Sequence, residues 1–101
     1  MIVRGGENIS PGEIEDVLMT HPAIADAAAV AVPSMEWGEA VGVAVVVRPG
    51  HAVPAESELR DLIKGRLRSS RVPERIAVMD TLPYNEMGKL LRREVKKLLQ
   101  T

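Results

Sequence analysis

The residue best suited to chemistry in this chain is Lys89, within Leu82-Pro83-Tyr84-Asn85-Glu86-Met87-Gly88-Lys89-Leu90-Leu91-Arg92-Arg93. Pro83, Asn85 and Gly88 all interrupt regular structure, so the lysine stands at the end of a turn. Behind it, Leu91, Val95, Leu98 and Leu99 recur at helical spacing and predict a helix with a buried face. A compact ammonium on a long stem, carried by a braced turn, can be aimed at an anionic partner. A Gly-Lys pair by itself is more often a plain turn. A second stretch, Gly5-Gly6-Glu7-Asn8-Ile9-Ser10-Pro11-Gly12-Glu13-Ile14-Glu15, adds to it from near the other end. Paired glycines permit positive φ and carry no side chain, so a ligand or another chain can approach the backbone closely. With Ile2-Val3-Arg4 before them and Glu7-Asn8-Ile9 after, they are equally the pattern of an ordinary hairpin.

The elements that must position these residues follow in order. Ser10 can cap a helix, Pro11 suits its first position, and Glu13 can close a capping box. Ile14, Val17 and Leu18 then form one apolar face, and Pro22 stops the helix. Glu13, Glu15 and Asp16 favour the positive helix end, a structural role. Residues 27–32 and 40–47 are apolar runs that predict buried strands, paired antiparallel across 33–39 with Pro33 ending the first. Trp37, in that loop, is placed to cap the edge of the core. Pro54-Ala55-Glu56 opens a second helix with Leu59, Leu62, Ile63 and Leu67 inward. Arg60, Lys64, Arg66, Arg68 and Arg71 lie outward and predict a solvated face. Residues 75–80 read as a third strand leading to the Lys89 turn. His21 and His51 have no partner at ligand or triad spacing and read as surface or cap residues. The expected fold is α+β: a small three-stranded sheet flanked by two or three helices, with an N-terminal β-hairpin.

Composition sets the outer limits. A chain of 101 residues is one domain with room for a modest core. Without cysteine it has no disulfide framework or thiolate metal site, and it fits a reducing, cytoplasmic setting. Neither a basic-apolar leader nor a membrane-length apolar run is expected. The net charge of −1 conceals an asymmetry. Residues 1–50 carry seven acids and two bases, whereas residues 51–101 carry seven acids and eleven bases. A basic nucleic-acid-binding module could exploit that second half. With Trp37 and Tyr84 as the only aromatics, however, the chain lacks the stacking surface such modules use, and no nucleic-acid partner is expected.

Taken together, GGEN-I-x-P-x-E-I-E, the central PSMEWGEAVGVAVVV and PYNEMGKLLRREV resemble the C-terminal domain of the adenylate-forming superfamily. Acyl- and aryl-CoA synthetases, peptide-synthetase adenylation domains and beetle luciferases make up that superfamily. The three stretches come in its order and at about its spacing, over essentially the whole chain. The resemblance implies that residues 1–101 are one mobile C-terminal domain whose large N-terminal partner domain, with the phosphate loop, nucleotide pocket and acyl pocket, is not in this sequence. Such a piece is expected to be inert by itself.

What the resemblance implies chemically is an ATP-dependent acyl-CoA ligase acting on a fatty or aryl acid. A carboxylate attacks the α-phosphate of ATP, with Mg2+, to give an acyl-adenylate and pyrophosphate; the thiol of CoA then displaces AMP. Lys89 matches the family's adenylation lysine. Gly5 and Gly6 match the hairpin that lines the tunnel for the pantetheine arm of CoA after the small domain swings. In some similar aryl-CoA ligases a tryptophan at the place of Trp37 stacks on the CoA adenine. Arg71 and Pro73 fit an aromatic-basic-x-Pro motif near the CoA nucleotide, but Ser70 replaces its aromatic and Glu74 stands where a basic residue is common. A peptide-synthetase adenylation domain is the alternative within the family.

Overall fold

Small and β-branched apolar residues between positions 24 and 47 build a hairpin of two long strands, and the other elements pack around it. The computed structural model describes residues 1–100. In chain order these form β1 (Ile2–Arg4), β2 (Glu7–Ile9), α1 (Pro11–Leu18), β3 (Ile24–Ser34), β4 (Gly38–Val47), α2 (Glu56–Arg66), a 3-10 turn (Ser69–Arg71), β5 (Arg75–Val78) and α3 (Arg92–Gln100). β3 runs antiparallel to β4 from Ile24↔Val47 to Ser34↔Gly38, with a register shift between Ile24 and Asp26. β5 lies parallel to β4, from Gly42↔Arg75 to Val45↔Val78.

The α+β expectation holds, and the N-terminal hairpin turns out to be continuous with the sheet. β1 pairs with β2 and also meets β4 at Arg4↔Gly38, so the strand order is β2-β1-β4-β3 with β5 alongside β4. The three expected strands and the hairpin thus form one mixed five-stranded sheet. Sequence cannot show that junction, which is a single residue pair between strands far apart in the chain.

Both faces of the sheet are covered. Ala27, Ala29, Val41, Val43 and Val45 pack with Ile14 and Leu18 of α1, Leu59 and Ile63 of α2, and Ile2 and Ile9 of the hairpin. On the other face Ala28, Val30, Val32, Ala40 and Ala44 meet Val95 and Leu99 of α3, together with Leu82. Strands buried on both sides read as unbroken apolar runs instead of alternating ones. Gly42 is buried where α3 crosses: a Cβ there would lie 2.7 Å from Val32 Cγ1 and 3.2 Å from Leu99 Cδ1.

Several local expectations change. Ser10 precedes α1 without a side-chain capping bond, and Glu13 lies 4.0 Å from the Arg71 guanidinium instead of closing a capping box. β3 continues through Pro33 to Ser34; it is an outer strand, where a missing donor can be tolerated. Leu98 is exposed, and only Val95 and Leu99 of the expected α3 stripe are fully buried. His21 is partnered by Glu58 across the α1–α2 junction, while its Nδ1 accepts from the Ala23 N–H at 3.0 Å.

The basic residues after residue 51 are not all solvated. Arg60 donates from Nε to the Pro73 carbonyl at 2.9 Å, and Arg75 donates to the Leu99 carbonyl at 3.0 Å, near the end of α3. Arg71 is mostly covered and donates to Glu7 of β2 and to the Ser70 hydroxyl. The Arg71 bond holds the Glu7 carboxyl below its ordinary value of 4.5.

Two tests follow from this packing. Gly42→Ala is expected to cost about 1–3 kcal/mol, through overpacking against Val32 and Leu99. Denaturant unfolding measures it, and unchanged stability would mean that α3 does not seat on Gly42. Because the folded-state value of Glu7 is depressed, its tie to Arg71 is complete above pH 4.5 and is lost only as pH falls through the lower, folded-state value. An NMR titration of Glu7 should therefore have its midpoint below 4.5, and Arg71→Ala should move it back up.

Candidate functional site

Lys89 sits in a turn organised by one side chain. Asn85 Oδ1 accepts from the backbone N–H groups of Met87 and Lys89, each at 2.9 Å. The Asn85 N–H in turn donates to the Lys89 carbonyl at 2.9 Å, and the Gly88 N–H donates to the Asn85 carbonyl at 2.9 Å. Gly88 takes φ of +80°, a left-handed conformation that glycine adopts without strain. A bridge between Tyr84 and Leu90 and a 2.9 Å bond from the Leu91 N–H to the Pro83 carbonyl close the loop below. The Lys89 side chain is exposed and, among the described residues, pairs with no acid. By contrast, Lys97 on α3 lies 3.8 Å from Glu94.

The flanks of this turn are held as well. The Tyr84 hydroxyl donates to Asp26 Oδ2 on β3, which together with partial burial lifts the phenol above its ordinary range. Arg92, three residues past Lys89, donates to both carboxylate oxygens of Glu15, at 2.8 and 3.1 Å. Glu15 therefore does more than complement a helix end.

The glycine hairpin is the second surface. Gly5 and Gly6, with φ of +56° and +86°, form the two-residue turn between β1 and β2. The Gly5 N–H donates to the Trp37 carbonyl at 3.0 Å. The indole leaves no room for a side chain, since a Cβ on Gly5 would lie 2.7 Å from Trp37 Cε3. Nothing lies within 4 Å of the equivalent position on Gly6, so Gly6 presents open backbone. The Arg4 guanidinium lies over the Trp37 ring, 4.1 Å from its centroid, a cation–π contact. Trp37 thus braces the hairpin while staying partly exposed.

The structure gathers Gly5, Gly6, Trp37 and Arg71 around the hairpin, with Arg71 reaching it through Glu7. Lys89 stands apart from them. The hairpin meets the β3–β4 ladder at its Ser34–Gly38 end, while Tyr84 holds the ladder at Asp26. From position 26 to 34 a strand advances roughly 26 Å at about 3.3 Å per residue. Sequence reading missed Arg4, Glu7, Asp26 and Tyr84 as participants. Only Asn85 gave a usable signal, as a turn residue three positions before glycine.

Among the described residues, no three His, Cys, Asp or Glu side chains converge to hold a metal ion, and no helix is long and apolar enough to cross a membrane.

Comparison with known proteins identifies the family. The family model described as the AMP-binding enzyme C-terminal domain matches residues 13–89. A 2-succinylbenzoate–CoA ligase of Bacillus cereus is 40% identical over 100 residues, covering 99% of this chain and 20% of the relative. A fatty acid–[acyl-carrier-protein] ligase of Streptomyces coeruleorubidus is 41% identical over 95 residues, 94% of this chain and 18% of its own length. Among solved structures, the amide bond synthetase McbA of Marinactinospora thermotolerans superimposes with a TM-score of 0.93 at 34% identity, over 99% of this chain and 20% of that one. The chain therefore spans about a fifth of the length of the curated relatives it matches. It belongs to the AMP-binding enzyme C-terminal domain family.

Proposed function

We propose that this chain is the mobile C-terminal domain of an ATP-dependent acyl- or aryl-CoA ligase and supplies two separate tools to one active site. The observation that carries the reading is the pair of surfaces on one sheet: a lysine on a braced turn that no described acid pairs, and an open glycine hairpin at the far end of the same ladder. Two separated surfaces suit a domain that reorients between the steps of a two-step reaction.

In the first step a carboxylate oxygen attacks the α-phosphorus of ATP while the bond to pyrophosphate breaks. Two anions must meet, and the Lys89 ammonium offsets their repulsion where charge concentrates in the transition state. In the second step the CoA thiol attacks the acyl carbon and AMP departs. Gly5 and Gly6 then line the approach of the pantetheine arm, Trp37 receives the adenine, and Arg71 holds the hairpin in place through Glu7. Mg2+ would be held by the triphosphate and the large N-terminal domain, which would also bind most of ATP and the acid.

Both ligases named above join an acid to an acceptor, CoA in one and an acyl carrier protein in the other. Free CoA is the acceptor proposed here. The peptide-synthetase alternative is not favoured by the relatives found. A cytoplasmic site of action accords with the cysteine-free chain.

In the complete enzyme, Lys89→Ala is expected to slow adenylate formation by roughly 10²–10³-fold, about 3–4 kcal/mol of lost charge stabilisation. Thioester formation from supplied acyl-adenylate should be nearly unchanged, and Lys97→Ala should alter neither step. Pyrophosphate exchange at the wild-type rate in Lys89→Ala would reduce Lys89 to a turn residue. Gly6→Trp should do the reverse, blocking thioester formation and sparing pyrophosphate exchange; equal loss in both would refute the tunnel role.

A further inference from the structure

β3 is the outer strand of the sheet, so among the described residues one of its edges has no neighbouring strand. Two acids serve that edge. Asp26 Oδ1 accepts from the Ala27 N–H at 2.9 Å, and Glu15 Oε2 accepts from the Ala29 N–H at 2.8 Å. Each carboxylate also takes hold of one flank of the Lys89 turn. Asp26 accepts the Tyr84 hydroxyl ahead of the lysine, and Glu15 takes the fork of Arg92 behind it. The partners lie 58 and 77 residues apart in sequence, so neither contact helps form a local element.

We propose that Tyr84–Asp26 and Arg92–Glu15 are two pins that fix the Lys89 turn to the open edge of β3, making these four residues positioning residues for the adenylation step. The proposal rests on the reading of Lys89 given above. The turn closes on itself through Asn85 and the Tyr84–Leu90 bridge, which set its shape but not its orientation toward the domain. The long lysine stem is itself flexible, and a misplacement of about 1 Å at a reacting centre can cost about 10²-fold in rate. A pin on either side of the turn removes its rocking motion. The fork geometry of Arg92 matters for the same reason, since two parallel bonds define an angle as well as a distance. Tyr84 and Arg92 are partly exposed while Glu15 is mostly covered, and the changes Tyr84→Phe and Glu15→Gln remove a bond or a charge while keeping the packing. Their effect should therefore fall on geometry.

The test uses the complete enzyme with Tyr84→Phe, Glu15→Gln and the double variant, beside Lys89→Ala. Each single change should lower kcat of pyrophosphate exchange by roughly 10-fold, with KM for ATP and acid little altered, and the double variant should lose more, approaching the roughly 10²-fold expected for a misplaced group. Thioester formation from supplied acyl-adenylate and the melting temperature should stay near wild type. Arg92→Lys, which keeps the charge and loses the fork, should resemble Glu15→Gln. If the double variant exchanges pyrophosphate normally while Lys89→Ala does not, the pins are refuted and the role of Lys89 stands. A parallel loss of both half-reactions with a lower melting temperature would assign the four residues to plain stability and also refute the pins. If Lys89→Ala itself exchanges normally, the reading of Lys89 and the pins fall together.

Discussion

The antiparallel ladder between β3 and β4 is the constraint on which the rest of the molecule depends. It buries small residues on both faces, and the alanines of β3 keep each surface low enough for helices to lie close. α1 and α2 cover one side and α3 the other, with Gly42 admitting α3 where any side chain would collide. Close packing of this kind transmits position well, because interiors at crystal-like density do not deform smoothly.

The ladder also separates the glycine hairpin from the Lys89 turn. The glycine hairpin joins through β1, on the β4 side and at the Trp37 end. The Lys89 turn is tied to β3, on the other side, through Asp26 and Glu15. Each tool has its own local brace: an indole and a guanidinium at the hairpin, an asparagine carboxamide in the turn. Both surfaces are thus carried by one ladder, each held by contacts of its own.

Charge is arranged on the same plan. Part of the excess of bases after residue 51 is engaged within the fold. Arg71 and Arg92 are engaged by Glu7 and Glu15 from the acid-rich first half, and Arg60 and Arg75 by backbone carbonyls. This cross-chain neutralisation joins the two halves of the sequence. Lys89 is among the cations that no described acid pairs, and it differs from Lys64, Arg66 and Lys96 in standing on a braced turn instead of a helix.

The sequence by itself determined the elements and the two chemical stretches. Apolar runs, proline and glycine breaks and helical periodicity act over neighbouring residues, so the β3–β4 hairpin, the three helices, the Gly5–Gly6 turn and the Lys89 turn were all legible. Tertiary structure decided what those elements touch. That β1 meets β4 through Arg4 and Gly38, that Trp37 closes over Gly5, that Arg71 is bound and not solvated, and that Tyr84 and Arg92 find Asp26 and Glu15 depend on residues tens of positions apart. A charged residue on a helix face has the same local pattern whether it faces water or a distant acid. Only the closing of the sheet brings those acids within reach, and that is why the supports of the site, unlike its lysine and glycines, could not be read from the chain alone.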